Sequence, residues 1–82
     1  MAKYAAYSLT AKSRRAHVTE FVVDGLDFFV AKTDMPGVRV GMVGGTCFDI
    51  PAGHAYHDRI VECVTESDAE DYFDELMNAS QL

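Results

Sequence analysis

Cys47, His54 and His57 fall within eleven positions of one another, with Asp49 and Asp58 beside them. Thiolate and imidazole are natural zinc ligands, and a thiol next to an imidazole base is a minimal arrangement for nucleophilic catalysis. The spacing matches no standard zinc pattern, however, and a structural zinc takes four ligands. The missing ones, Cys63 or His17, would have to arrive from elsewhere in the fold. A thiol nucleophile also needs a pocket, and the chain carries no G-x-S-x-G, P-loop, G-x-G-x-x-G or H-E-x-x-H signature. The expectation is a chain with no catalytic residue, no metal and no cofactor. A metal- or thiol-dependent site at Cys47, His54 and His57 is the alternative; otherwise these histidines bond to nearby carboxylates in a polar loop.

A second pattern concerns charge. The net charge is −6, and it is polarised. Residues 1–16 hold Lys3, Lys12, Arg14 and Arg15 and no acid, whereas Asp58 to Glu75 holds eight acids and only Arg59. Such a surface repels a free duplex or an anionic membrane, so neither nucleic acid nor membrane is an expected direct partner. The same carboxylates suit a protein partner with a basic face.

The element that must position them is the stretch from Ser67 to Ala79. Ala69, Tyr72, Phe73, Leu76 and Met77 recur at i, i+3, i+4, i+7 and i+8, which predicts an amphipathic helix with those five side chains buried. Ser67 and Glu70 form an S-x-x-E capping box at its start. A helix of about 12 residues is marginal alone in water, so tertiary packing has to hold it. Asp68, Glu70 and Asp71 suit the positive end of the helix dipole. Asp74 and Glu75 do not have that explanation. Each follows another acid by four residues, a spacing that costs about 0.2–0.5 kcal/mol per pair. A chain shaped for folding alone would more readily place lysine there. Solubility is the plain alternative reading.

The expected partner-binding set is therefore Glu70, Asp71, Asp74 and Glu75 on the helix, joined by Asp58, Glu62 and Glu66 from the segment before it, with Tyr72, Tyr56 and Phe29 as apolar anchors at the edge. Spaced carboxylates on a rigid helix imitate the charge of a nucleic-acid backbone. In size and charge the chain resembles the small acidic inhibitors that phages use against nucleic-acid-handling defence systems, among them anti-CRISPR proteins and DNA mimics. That resemblance implies a non-enzymatic inhibitor that blocks the basic, nucleic-acid-binding surface of a larger complex. A structural adaptor using the hairpin face around Phe29 and Val22 is a further alternative.

The rest of the chain supplies a sheet. HVTEFVV and LDFFVAK flank Asp24-Gly25, a pair suited to a two-residue type I′ turn, which predicts a hairpin with Val23 opposite Leu26, Phe21 opposite Phe28 and Thr19 opposite Val30. In that register Phe29 lies on the half-polar face. Asp34-Met35-Pro36-Gly37 reads as a turn, Val38 to Val43 as a strand ended by Gly44-Gly45, and Cys47 to Ile50 as a short strand stopped by Pro51. Ala52 to Asp58 lacks a period and reads as an exposed loop; Ile60 to Thr65 reads as a last strand. Lys3 to Lys12 is expected to be a strand and KSRRA a polar connection.

Eighty-two residues fit one domain, 1–82, because a chain this short cannot divide its burial between two cores. The apolar content of 49% argues against disorder. No apolar run reaches the roughly 18 residues a spanning helix needs, and no secretory signal is visible, so a cytoplasmic location and reduced thiols at Cys47 and Cys63 are expected. The expected fold is α+β: a small antiparallel sheet of four to five strands with the C-terminal helix covering Phe21, Phe28, Val30, Val40 and Ile60. Exposed sheet edges make a homodimer possible.

Overall fold

The computed structural model of the chain describes residues 7, 8, 15 and 17–80. Among them are strands β1 (Tyr7–Ser8), β2 (Val18–Asp24), β3 (Phe28–Thr33), β4 (Gly37–Met42) and β5 (Thr46–Pro51), then helices α1 (His57–Val61) and α2 (Glu66–Ser80). The strands form one antiparallel sheet in the order β1-β5-β4-β3-β2, so β2 through β5 run as a meander and β1 pairs with β5. The fold is α+β, with the C-terminal helix packed against the sheet. Of the expected strand from Lys3 to Lys12, only Tyr7–Ser8 lies within the described residues; Lys12 and Arg14 of the basic connection lie outside them.

Strand alternation divides the apolar side chains between two clusters. Val23, Val30, Val38, Val40, Phe48 and Ile50 meet Ile60 of α1 and Ala69, Phe73 and Leu76 of α2 on the helix side. Burying each large member of such a cluster contributes about 1.5–3 kcal/mol. The Phe73 ring sits between Phe28 and Phe48, at centroid distances of 5.4 and 5.6 Å. Phe29, Ala31 and Cys47 are buried on the opposite face, with Val18, Phe21 and Val43 packed against them. Cys47 and Cys63 thus belong to different clusters, on opposite sides of the sheet.

The hairpin forms, but in a different register from the expected one. Val23 pairs with Val30, Asp24 with Phe29 and Phe21 with Ala31, with an irregularity between Phe21 and Val23. The connection is Gly25–Asp27 rather than a two-residue turn, and Leu26 projects into solvent at 90% exposure. The irregularity puts Phe21 on the far face, away from the helix, where its ring meets Phe29 edge-on at 6.1 Å. Phe29, expected as a surface anchor, has no exposed area. Phe29 lies on the face away from Val30, as expected, but that face is covered, because Val18, Phe21 and Val43 pack against Phe29, Ala31 and Cys47.

The turn is held from a distance. The Glu66 carboxylate accepts hydrogen bonds from the backbone N–H of Asp27 at 2.5 Å and of Phe28 at 2.8 Å. Gly25 lies beneath it, where a Cβ would come within 2.4 Å of the Glu66 carboxyl carbon and 2.6 Å of the Phe28 carbonyl oxygen. These backbone donors hold the Glu66 carboxyl below its ordinary pKa of 4.5. A lowered folded value means that the stabilisation is complete above 4.5 and is lost as pH falls through the folded value. Glu66→Gln is accordingly expected to be less stable than wild type at neutral pH, with the gap closing in acid; urea unfolding midpoints across that range read it directly.

Two further expectations change at the helices. Ile60 to Thr65 is not a strand: α1 occupies His57–Val61, and Ile60, fully buried, joins the helix-side core from a helical turn. The loop expected from Ala52 to Asp58 is a series of turns that runs into α1 at His57. Helix α2 begins at Glu66, earlier than Ser67, and its capping pair is Thr65 and Asp68 rather than Ser67 and Glu70. The Asp68 N–H donates to Thr65 Oγ1 at 3.2 Å, and the Asp68 carboxylate accepts from the N–H groups of Val64 and Thr65. This is the reciprocal logic of a capping box, with aspartate in place of glutamate.

Candidate acidic interface

The buried side chains of α2, Ala69, Phe73 and Leu76, recur at i, i+4 and i+7, which leaves Glu70, Asp71, Asp74 and Glu75 exposed. Two carboxylates therefore recur every four residues, or about 6 Å of helix axis at about 1.5 Å per residue. That is about one charge per 3 Å, close to the about 3.4 Å per charge of a single DNA strand. Glu62 and Asp58 extend the exposed row beyond the helix; the Asp58 side chain is 92% exposed.

Most of these acids make no ion pair among the described residues. Glu62, Glu70, Asp71, Asp74 and Glu75 make none there, and Asp58 contacts only the imidazole of its neighbour His57, at 3.0 Å. The described bases are engaged elsewhere. Arg15 lies 3.6 Å from Asp24, Lys32 lies 3.4 Å from Glu20, and Arg39 bonds Asp49 at 2.8 Å. Arg59, the one base amid the acids, stacks its guanidinium over the rings of Tyr56 and Tyr72 at 5.2 and 5.6 Å.

Tyr56 and Tyr72 are half-buried and face each other edge-on at 6.2 Å. With Arg59 between them they form an aromatic and cationic centre bordered by carboxylates. Arg and Tyr are the residue types that dominate interface energetics, because each presents a large flat area with few degrees of freedom. In the sequence Arg59 is an exception to the acidic run; its stacking depends on α1 bringing it within reach of Tyr72 on α2.

Glu66 stands apart from the other acids. Its carboxylate is committed to the β2–β3 turn, so it anchors the helix start rather than presenting charge outward. Asp68 is committed to its cap, and its carboxyl is held low by the Val64 N–H and the Thr65 contacts.

The Cys47, His54 and His57 trio does not converge. Cys47 is buried under the far face of the sheet. His54 Nδ1 accepts from the Tyr56 N–H at 3.0 Å and packs its ring against that tyrosine. His57 faces Asp58. No group of three or more metal-ligating side chains occurs among the described residues. The other thiol, Cys63, is pushed up to about 11 by burial, with the charges of Asp68 and Asp71 adding to the shift, so it is protonated and a poor nucleophile at neutral pH.

No helix among the described residues is long and apolar enough to cross a membrane. Comparisons with protein-family models, with curated proteins and with solved structures find no match.

Proposed function

We propose that this chain is a non-enzymatic interaction protein whose carboxylate surface binds and blocks a basic, nucleic-acid-binding surface of a larger complex. In this reading it is an inhibitor of the DNA-mimic kind, of the sort phages deploy as anti-CRISPR and other anti-defence proteins. The observation that carries it is the set of exposed acids on α2 that make no ion pair among the described residues, while the described bases pair or stack elsewhere. Glu70, Asp71, Asp74, Glu75, Glu62 and Asp58 supply the charge; the half-buried Tyr56 and Tyr72, with the exposed Arg59, supply the contact area that charge alone lacks. Long-range attraction of this kind raises encounter rates, and the anchor slows dissociation.

The test is capture on the immobilised protein at low ionic strength, with duplex DNA as competitor. Basic nucleic-acid-binding proteins from an extract of its host or target cell are expected to be retained and then released by added DNA or by raised salt, which shortens the screening length from about 30 Å at 0.01 M to about 3 Å at 1 M. Retention indifferent to both DNA and salt rejects the reading.

A further inference from the structure

A groove lies away from the acidic helix, between the 34–37 turn and the adjoining ends of β4 and β5. Its volume is about 400 Å³, within the range of about 300–1,000 Å³ that small-molecule sites occupy. Apolar walls come from Met35, Pro36 and Pro51, and polar groups from His17, Asp34, Arg39 and Asp49. The turn beside it is fixed by its own bonds. Thr33 Oγ1 donates to the Met35 carbonyl at 2.7 Å, and the Ala52 N–H donates to the Pro36 carbonyl at 3.2 Å. Because those bonds hold the turn in place, the groove is preformed.

Its electrostatics choose among ligands. Arg39 is buried, and its Nε and Nη2 reach the two oxygens of Asp49 at 2.8 and 3.3 Å, so an incoming anion would have to compete with a carboxylate already in place. Asp49 is half-exposed, and a carboxylate has about four acceptor sites, so acceptor capacity remains towards the groove. Asp34 is also mostly exposed, touched by His17 Nδ1 and Thr19 Oγ1 at 3.3 Å each. Two carboxylates against one guanidinium leave one net negative charge among the described carboxylate and guanidinium groups of the lining.

His17 adds an independent sign. It is the one non-glycine residue with positive φ among those described, at 61°, a conformation that costs a side-chain-bearing residue energy and is retained where surrounding contacts enforce it. Here the enforcing contacts are the Asp34 N–H, which donates to the His17 carbonyl at 2.9 Å, and the Asp34 carboxylate. Both contacts bring the imidazole to the groove's edge. We propose that this groove is a binding site for a small primary amine carried on an apolar body, with Asp34 and Asp49 receiving the ammonium and Met35, Pro36 and Pro51 the body.

The test uses three probes of nearly one shape: phenethylamine, 2-phenylethanol and 3-phenylpropionate. Each is titrated into the whole protein and followed by amide nitrogen–proton NMR near pH 7.5, where an alkylamine is protonated. Saturable shifts at His17, Asp34, Arg39 and Asp49, with the amine bound about tenfold or more tighter than the alcohol and the carboxylate bound weakest, are expected. Asp34→Asn and Asp49→Asn should each narrow that preference. No saturable binding, equal affinity for the three probes, shifts centred elsewhere, or a preference that survives in both variants overturns the assignment. The wild-type comparison stands even if the Asp49 variant, which leaves Arg39 without that carboxylate, fails to fold. None of these results depends on the acidic helix, so they stand or fall separately from the proposed inhibitor function.

Discussion

Changing Asp71, Asp74 and Glu75 together to lysine is expected to abolish capture of basic partners at low ionic strength while the circular dichroism spectrum stays native. The substitution shifts the net charge by six units within two turns of one helix. Electrostatic steering multiplies association rates by about 10–10³, and reversing the sign of the patch turns that gain into a barrier. A loss of a hundredfold or more in affinity is the expected size. Folding should not suffer, because all three side chains are exposed. Glu70 and position 74, now a repelling pair, would attract instead, worth about 0.2–0.5 kcal/mol. The last turn of the helix carries no base, and cations are favoured towards that end. Unchanged affinity in the triple variant, with its helix intact, would remove the proposed function and leave solubility as the purpose of these acids.

Phe73→Ala should be the most damaging single substitution in the core. The ring is 5% exposed and wedged between Phe28 of β3 and Phe48 of β5, so its loss opens a cavity at the joint of helix and sheet. Changes of this type cost about 3–5 kcal/mol. A domain of this length has about 4–12 kcal/mol in total at about 0.05–0.15 kcal/mol per residue. The variant is therefore expected to be marginally folded at room temperature, with a large drop in urea midpoint. A loss under about 1 kcal/mol would mean that α2 is held chiefly by its polar ties and not by this packing.

Much of the architecture is legible because β4 and β5 announce themselves by alternation between Pro/Gly punctuation, and α2 by the recurrence of Ala69, Phe73 and Leu76. The failures have a common source. Asp24-Gly25 is a sound two-residue turn by local rules, and Ser67-x-x-Glu70 a sound cap. Yet Glu66 reaches the N–H groups of Asp27 and Phe28, which lengthens the turn, and the helix starts one residue sooner than Ser67. Neither effect has a local signature. Ile60, Val61 and Val64 favour strands as residue types, but burial of Ile60 within the helical layer overrides that preference. Of the candidate site, the acids are legible by composition. Phe29 sits on the expected face, but the irregularity that turns Phe21 onto that face and helps to cover it has no local signature, and the stacking of Arg59 on two tyrosines depends on the contact between α1 and α2.

The Glu66 tie also bears on how the molecule is made. It spans 39 residues, so the first hairpin leaves the ribosome before the carboxylate that ties its turn does. Until that carboxylate emerges, the nascent hairpin is free to sample the tighter turn that its own residues prefer. Closing so long a loop is a late and slow event relative to hairpin formation. The final arrangement of the first hairpin is thus decided by a residue that emerges well after it.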